Sequence, residues 1–284
     1  MDLTESIATI ATRSKFDRVQ FTGSHYEGRF GTVYEALVSR PGGQDDVAIR
    51  LLDLPSEESD RSTFRDRIQA VLNRWSMVSD DDGVLTVYDT GTQPSPWIVT
   101  QAAAGTLGDR DPMDFVDLGQ TALELADSVM QLHNREVVHG GIDPGSIAVP
   151  GSLYDDVVQG KPLLDNVGMI LVYRYFFEPA TSLNPRYAAP EFYSTKFGSV
   201  DHMTDIYGLG AVLYRLFTGS PPYTGSFEQI RESVLTGDPP IPSEAGAPEP
   251  LDSIVARAMA KQKLHRYETI EHLRQDLAVL SPNR

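Results

Sequence analysis

The sequence predicts an α+β protein, in which a small antiparallel β-sheet with one helix precedes a larger and mostly helical region. Short runs rich in β-branched and aromatic residues fill the first part of the chain, and helical spacing of apolar residues takes over after residue 105. A chain of 284 residues without internal repeats can bury one large core or two lobes. We therefore predict one domain over residues 1–284, with an N-terminal lobe at residues 1–101 and a C-terminal lobe at residues 102–284.

Five segments of the N-terminal lobe have the composition of strands, and turn signals such as the Pro-Gly-Gly at residues 41–43 separate them. Between the third and fourth segments, residues 64–75 place their apolar side chains on one helical face, and Ser62 or Thr63 is available as the N-cap. These signals predict a sheet that is covered by a single helix. The predicted strands are residues 16–21, 32–38, 47–52, 84–88 and 97–100.

Helical patterns dominate the C-terminal lobe. Residues 118–132 form an amphipathic helix with Asp114 or Asp117 as its cap, and residues 205–217 form a buried helix that ends at Gly219. Two further helices are predicted at about residues 251–260 and 269–280.

The net charge of −16 excludes some classes of partner. Such a surface repels nucleic acid and anionic membranes. The abundant Asp, the scarce Lys and the absence of Cys resemble proteins from salt-loving organisms, and an ordinary acidic cytosolic protein is the alternative. Residues 1–5 lack the basic head of a signal peptide, and no apolar run approaches the roughly 18 residues that suggest a membrane span. We expect a cytoplasmic protein without membrane insertion. With no cysteine in the chain, a metal ion would have to be held mainly by carboxylates.

Six motifs follow one another along the chain: EGRFGTVY at residues 27–34, VAIR at 47–50, HGGIDPGSI at 139–147, RYAAPE at 186–191, DIYGLGAVLY at 205–214 and HRY at 265–267. Their order resembles that of the protein kinase superfamily, in particular the eukaryotic-type serine/threonine kinase domain. The resemblance extends from about residue 16 to residue 280. It implies a bilobal protein-kinase-like fold that binds ATP in a cleft between the lobes.

The catalytic loop departs from the family pattern. Gly141, Asp143 and Ser146 stand where the family has its base, its phosphate-contacting lysine and its metal-binding asparagine. Because phosphoryl transfer depends on positioning and electrostatic stabilisation, the resemblance implies a degenerate member, a pseudokinase, with no confident catalytic residue.

The metal site and the lysine position also depart from it. Arg50 replaces the phosphate-binding lysine, and Arg67 aligns with the helix glutamate that would pair with it. If Gly168 is the glycine of the family's D-F-G motif, Asn166 takes the place of the metal-binding aspartate, and Asp165 is a solvated residue at a strand end. A one-residue bulge would instead make Asp165 a metal ligand. Asp165 is thus a weak candidate, and Mg²⁺ binding is doubtful.

The nucleotide pocket is better preserved. Val33 and Ala48 match the residues that cover adenine in the family, although they are equally consistent with ordinary strand packing. Thr100 matches the gatekeeper, and Gln101 and Ala103 match the hinge. We expect weak ATP binding. The candidate nucleotide-binding residues are Gly28, Gly31, Val33, Ala48, Arg50, Thr100, Gln101 and Ala103.

Scaffold positions of the family are retained as Glu191, Arg266, Asp205 and His139. The resemblance implies a buried Glu191–Arg266 ion pair, an Asp205 that holds the catalytic-loop backbone and a His139 packed in the core.

Three functions remain open, in this order. The first is a catalytically inactive scaffold or allosteric regulator that binds a protein partner, such as an active kinase or another signalling protein. The second is an atypical serine/threonine kinase that uses Asp143 as base, Asp165 for the metal and Arg50 for phosphate. The third is an ATP-binding conformational switch. The aromatic run at residues 172–177 is either a partner interface or a buried anchor.

Overall fold

The computed structural model describes residues 9–10, 12–93, 95–150, 158 and 160–281. The expectation about residues 1–5 therefore lies outside the described residues. Five strands form one antiparallel sheet in the order β1-β2-β3-β5-β4, which confirms the predicted sheet. The strands are β1 (Arg18–Gly28), β2 (Gly31–Arg40), β3 (Gly43–Leu52), β4 (Val87–Gly91) and β5 (Trp97–Gln101).

Several strand boundaries differ from the prediction; β3, for example, begins at Gly43, four residues before the predicted start at residue 47. β1 continues beyond residue 21 to Gly28, and its register shifts between Phe21 and His25. Because residues 22–27 are exposed and polar, they carry no burial pattern from which a strand could be read. β4 begins three residues late, since Val84 instead forms an isolated bridge with Leu164.

One helix, α1 (Arg61–Val78), packs against the sheet at β4. Its buried face is the predicted one, with Phe64, Ile68, Leu72 and Trp75 enclosed. The predicted N-cap is wrong: Ser62 and Thr63 lie inside the helix, because a 3-10 turn over Glu58–Asp60 starts the coiling earlier.

The rest of the chain is mostly helical, as predicted. α2 is capped by Asp117, whose side chain accepts from the Gln120 amide, and α5 ends at Gly219 with φ of +75°. α3, α4 and α6 were not predicted from the sequence. The helices are α2 (Leu118–Asn134), α3 (Met169–Tyr173), α4 (Pro179–Ser182), α5 (His202–Thr218), α6 (Phe227–Thr236), α7 (Pro250–Ala258) and α8 (Ile270–Leu277).

A second, two-stranded sheet pairs β6 (Ile147–Ala148) with β7 (Leu163–Leu164) and lies beside the large sheet. One hydrophobic cluster runs from α1 and one side of the large sheet through α2 to α8, with α5 buried at its centre. A smaller cluster around Ile10, Phe16 and Trp97 covers other residues of the sheet. Within the described part of the chain, no helix is both long and apolar enough to cross a membrane.

Candidate nucleotide cleft and catalytic centre

A cleft of about 360 Å³ lies between the large sheet and the helical region. Seven of the predicted site residues line it, and Gly28 and Gly31 stand outside, in the β1–β2 hairpin. Val33 and Thr100 are buried, whereas Ala103 is exposed at the edge of the cleft. The seven residues are Val33, Ala48, Arg50, Thr100, Gln101, Ala103 and Asp165.

Sequence reasoning did not assign the other lining residues to the cleft, and among these are Tyr26, Glu35 and Asp46. Side chains two residues apart on a strand point to the same face. Glu35 is two residues from Val33 on β2, and Asp46 is two residues from Ala48 on β3. The period-2 alternation that places the adenine-covering residues would therefore have found both carboxylates.

The two predicted glycines have a structural reason to be glycine. Gly31 has φ of +136°, and a Cβ atom there would lie 1.9 Å from the Leu51 carbonyl oxygen. A Cβ atom on Gly28 would lie 3.1 Å from the Gly31 carbonyl oxygen. The close approach of the hairpin to β3 therefore requires a glycine at position 31 whether or not a phosphate binds.

Arg50 bridges the two lobes. Its Nη2 lies 2.9 Å from Asp165 Oδ2, its Nη1 lies 3.5 Å from Asp165 Oδ1, and Nη1 also donates to Asn166 Oδ1. Asp165 is 5% exposed, so the expectation of a solvated strand-end residue is wrong. The chain turns sharply after β7 because Asn166 adopts φ of +63°, and both side chains thereby reach Arg50.

This arrangement leaves little to bind a divalent cation. Burial lowers the pKa of the Arg50 guanidinium, but the charge and hydrogen bond of Asp165 more than offset it, and the pKa is raised. Arg50 therefore remains charged beside the carboxylate. Mg²⁺ needs oxygen ligands in octahedral geometry, and both carboxylate oxygens of Asp165 face the Arg50 guanidinium. A metal ion at Asp165 would therefore have to displace Arg50.

The position of the family's base is filled by an apolar side chain. A Cβ atom on Gly141 would lie 2.8 Å from Ile170 Cγ2, and one on Gly140 would lie 2.6 Å from Leu171 Cδ2. Gly140 also has φ of +78°. The absence of side chains at the two glycines lets α3 pack directly on the catalytic loop.

Asp143 and Ser146 are engaged in other contacts. Asp143 forms an ion pair with Arg29 from the β1–β2 turn and accepts from the Gly145 amide at 2.7 Å. The Ser146 hydroxyl accepts from the Asp143 amide at 3.0 Å and donates to its carbonyl at 2.9 Å. The cavity beside these residues measures about 20 Å³, which is room for about one water molecule.

The aromatic run after α3 is chiefly an anchor. Tyr173 is 2% exposed, and its hydroxyl donates to the Phe30 carbonyl at 2.8 Å. Only Tyr175, at 65% exposure, faces solvent freely. Arg67 stacks on the Tyr175 and Phe176 rings with its Cζ atom 5.4 and 5.7 Å from their centroids. The run is thus buried at one end and exposed at Tyr175.

The retained scaffold residues occupy the positions that the resemblance implies. Asp205 is fully buried and accepts from the amides of His139 at 2.9 Å and Gly140 at 2.7 Å. His139 Nδ1 accepts from the Gly141 amide at 3.3 Å, so its Nε2 carries the proton that bonds the Asp165 carbonyl at 2.9 Å. Burial lowers the pKa of His139 below its ordinary value of 6.5.

The predicted Glu191–Arg266 pair is present and buried. Two parallel hydrogen bonds of 2.8 Å join the guanidinium to the carboxylate. Arg266 also donates to the carbonyls of Ala260 at 2.7 Å and Met203 at 3.0 Å, and Glu191 accepts from the Thr204 hydroxyl at 2.7 Å. Each charge is therefore satisfied away from water.

Known proteins share this sequence pattern. The model of the family described as "Protein tyrosine and serine/threonine kinase" matches residues 20–277. The chain is 30% identical over 255 residues to the serine/threonine-protein kinase PknB of Mycobacterium leprae, which covers 82% of the chain and 38% of that relative.

Two further relatives carry related names. The probable serine/threonine-protein kinase PknB of Bifidobacterium longum is 25% identical over 299 aligned positions, covering 97% of the chain and 41% of the relative. The DNA damage-responsive serine/threonine-protein kinase RqkA of Deinococcus radiodurans is 29% identical over 216 positions, which cover 72% of the chain and 30% of the relative. The chain spans less than half the length of each of these relatives. With the family match, the two-part fold and the retained buried scaffold in agreement, the chain belongs to the protein tyrosine and serine/threonine kinase family.

Proposed function

We propose that this kinase domain is a pseudokinase that works by binding another protein and transfers no phosphate. The observation that carries the proposal is the packing of Ile170 on Gly141. A Cβ atom added to Gly141 would lie 2.8 Å from the Ile170 Cγ2 atom. A β-branched side chain cannot swing its Cγ atoms away without a change of rotamer or backbone. A carboxylate therefore has no place at the position of the base.

The charged groups that an atypical kinase would need are engaged with one another. Asp143 would have to leave Arg29 to act as a base, and Asp165 would have to leave Arg50 to hold a metal ion. Arg50 and Asp165 are both buried, and leaving one of them uncompensated costs about 3–5 kcal/mol. Asp143 is buried but the Arg29 side chain is 24% exposed, so opening that pair costs less. Both separations oppose a catalytic cycle.

A serine/threonine kinase is the second candidate, because the relatives carry that name. The two candidates are separated by incubating the full chain with labelled ATP, Mg²⁺ or Mn²⁺ and generic protein substrates, itself included. The proposal expects no transfer above background. Phosphate transfer that disappears in Asp143→Ala and in Asp165→Ala, but persists in the exposed control Asp66→Ala, would instead show that the protein is an active kinase.

The partner surface that we propose is the patch around Arg67, Arg174 and Tyr175. Arg174 lies 5.3 Å from the Tyr175 ring centroid, and Arg67 stacks on the same ring. Tyrosine and arginine are enriched at binding hot spots. These two cations stand on a chain of net charge −16, so a partner that presents carboxylates complements the patch.

A photo-crosslinking amino acid tests this surface when it is placed at Tyr175 in one variant and at the exposed control Met77 in another. A protein captured only from position 175, and lost with Arg67→Ala, would be the partner. Equal capture from both positions would contradict the assignment.

The proposal includes three further expectations from the sequence: a cytoplasmic location, an adaptation to high salt and weak ATP binding without Mg²⁺. The third candidate, an ATP-driven switch, uses the same cleft. It requires that the Arg29–Asp143 and Arg50–Asp165 pairs open and close with the nucleotide.

A further inference from the structure

We infer that the cleft selects an uncharged purine nucleoside, bound without metal, over a nucleoside triphosphate. The inference rests on the proposed function, since it assumes that the purine slot persists while the catalytic centre does not.

The adenine end of the cleft is intact and small. Val33 and Ala48 line it from the sheet and Ala148 lines it from β6, so apolar surfaces are available to a flat ring. Gln101 and Ala103, at the end of β5 and just after it, also line the cleft. The volume of about 360 Å³ is near the lower end of the roughly 300–1,000 Å³ that small-molecule sites span. A compact ligand suits this space.

The charge of the lining opposes phosphates. Three carboxylates, of Glu35, Asp46 and Asp165, line the cleft, and Arg50 is the only cation among the described residues that do so. Arg50 is already neutralised by Asp165 at 2.9 Å. The carboxylates of Glu35 and Asp46 are exposed and add a screened repulsion of an anion in the cleft.

Side chains occupy the space between the β1–β2 turn and the catalytic loop. Arg29 of the β1–β2 turn is bonded to Asp143, and the neighbouring Phe30 is 3% exposed, with its carbonyl held by Tyr173. The cavity beside Arg29 and Asp143 measures about 20 Å³. A terminal phosphate would have to break these contacts, whereas a nucleoside does not reach them.

The same carboxylates that repel phosphate can accept hydrogen bonds from a nucleoside. Ribose hydroxyls and an exocyclic amino group are donors, and the exposed carboxylates of Glu35 and Asp46 in the cleft lining are acceptors. Hydrogen bonds to a charged acceptor are about twice as strong as those between neutral groups. The lining therefore favours the donor-rich, uncharged ligand.

Isothermal titration of the full chain with adenosine, AMP and ATP in EDTA at matched ionic strength tests the inference. Affinity should fall along this series, with at least about a tenfold difference between adenosine and ATP, which corresponds to about 1.4 kcal/mol. Replacing EDTA with Mg²⁺ should leave the ATP affinity unchanged. Ala48→Phe should abolish binding of all three ligands.

Glu35→Gln combined with Asp46→Asn should reduce the ratio of the adenosine affinity to the ATP affinity by about threefold or more, because two repelling charges are removed. The matched control replaces two exposed carboxylates outside the cleft lining, Glu57→Gln with Glu58→Gln, and should keep this ratio. ATP binding more tightly than adenosine, ATP binding that requires Mg²⁺, or no binding by either ligand would each overturn the inference. None of these outcomes produces phosphoryl transfer, so the pseudokinase proposal is judged separately by the transfer assay.

Discussion

Ile170 packs on Gly141 so closely that a Cβ atom added to the glycine would lie 2.8 Å from the Ile170 Cγ2 atom. The absence of the base at position 141 and the position of α3 after β7 therefore depend on each other. The missing side chain at position 141 makes room for α3, and α3 in turn leaves no room for a side chain there.

Gly141→Ala should destabilise the protein by about 1–3 kcal/mol, the usual cost of overpacking. Ile170→Ala removes the obstructing atoms, so the double variant should be less destabilised than the sum of the two single variants by at least about 0.5 kcal/mol. Urea unfolding of the wild type and the three variants completes the cycle. Strict additivity would show that the two residues do not compete for this space.

Arg266→Ala should cost about 3–5 kcal/mol, because Glu191 would be left as an unpaired buried charge. The matched control is Arg231→Ala, which breaks the exposed Arg231–Glu228 pair of 3.2 Å and should cost less than about 1 kcal/mol. Chemical denaturation measures both. Similar losses in the two variants would contradict the burial of the Glu191–Arg266 pair.

Stability should depend on the protonation of His139. Burial lowers its pKa in the folded state from the ordinary value of 6.5, so below that pH the unfolded chain binds the additional proton. The contribution of His139 is therefore fully present above about pH 6.5 and is lost as the pH falls, by up to about 1.4 kcal/mol per unit.

Unfolding free energies measured from about pH 7.5 to about pH 5.5 should decrease in the wild type, and the slope should be shallower in His139→Gln. The exposed His265→Gln serves as control and should keep the wild-type slope. A His139→Gln slope equal to that of the wild type would assign the pH dependence to other groups.

The melting temperature should rise with salt. With a net charge of −16, the compact state suffers self-repulsion that ions screen over about 10 Å at 0.1 M and about 3 Å at 1 M. Calorimetry in dilute buffer and in KCl up to about 1 M measures the effect. A flat response would refute the adaptation to high salt and leave the fold assignment untouched.

Much of the fold could be predicted because short-range patterns of apolar residues along the chain indicate its helices and strands. The apolar spacing in α1 and α2 identifies both helices within a few residues of their ends, and the alternating runs locate the sheet. The scaffold pair Glu191–Arg266 was also predictable, since two separate motifs each supply one partner. Boundaries were less predictable where exposed polar residues continue a strand, as at residues 22–27 of β1.

The sequence by itself determined the family, the order of the elements and the loss of a carboxylate at Gly141, because these depend on residue identity and short-range spacing. Only the tertiary structure decided what Asp165 and Asp143 do. Their partners, Arg50 and Arg29, lie 115 and 114 residues away along the chain. No local sequence pattern indicates a contact over such a separation, because the contact forms only when the two lobes pack together.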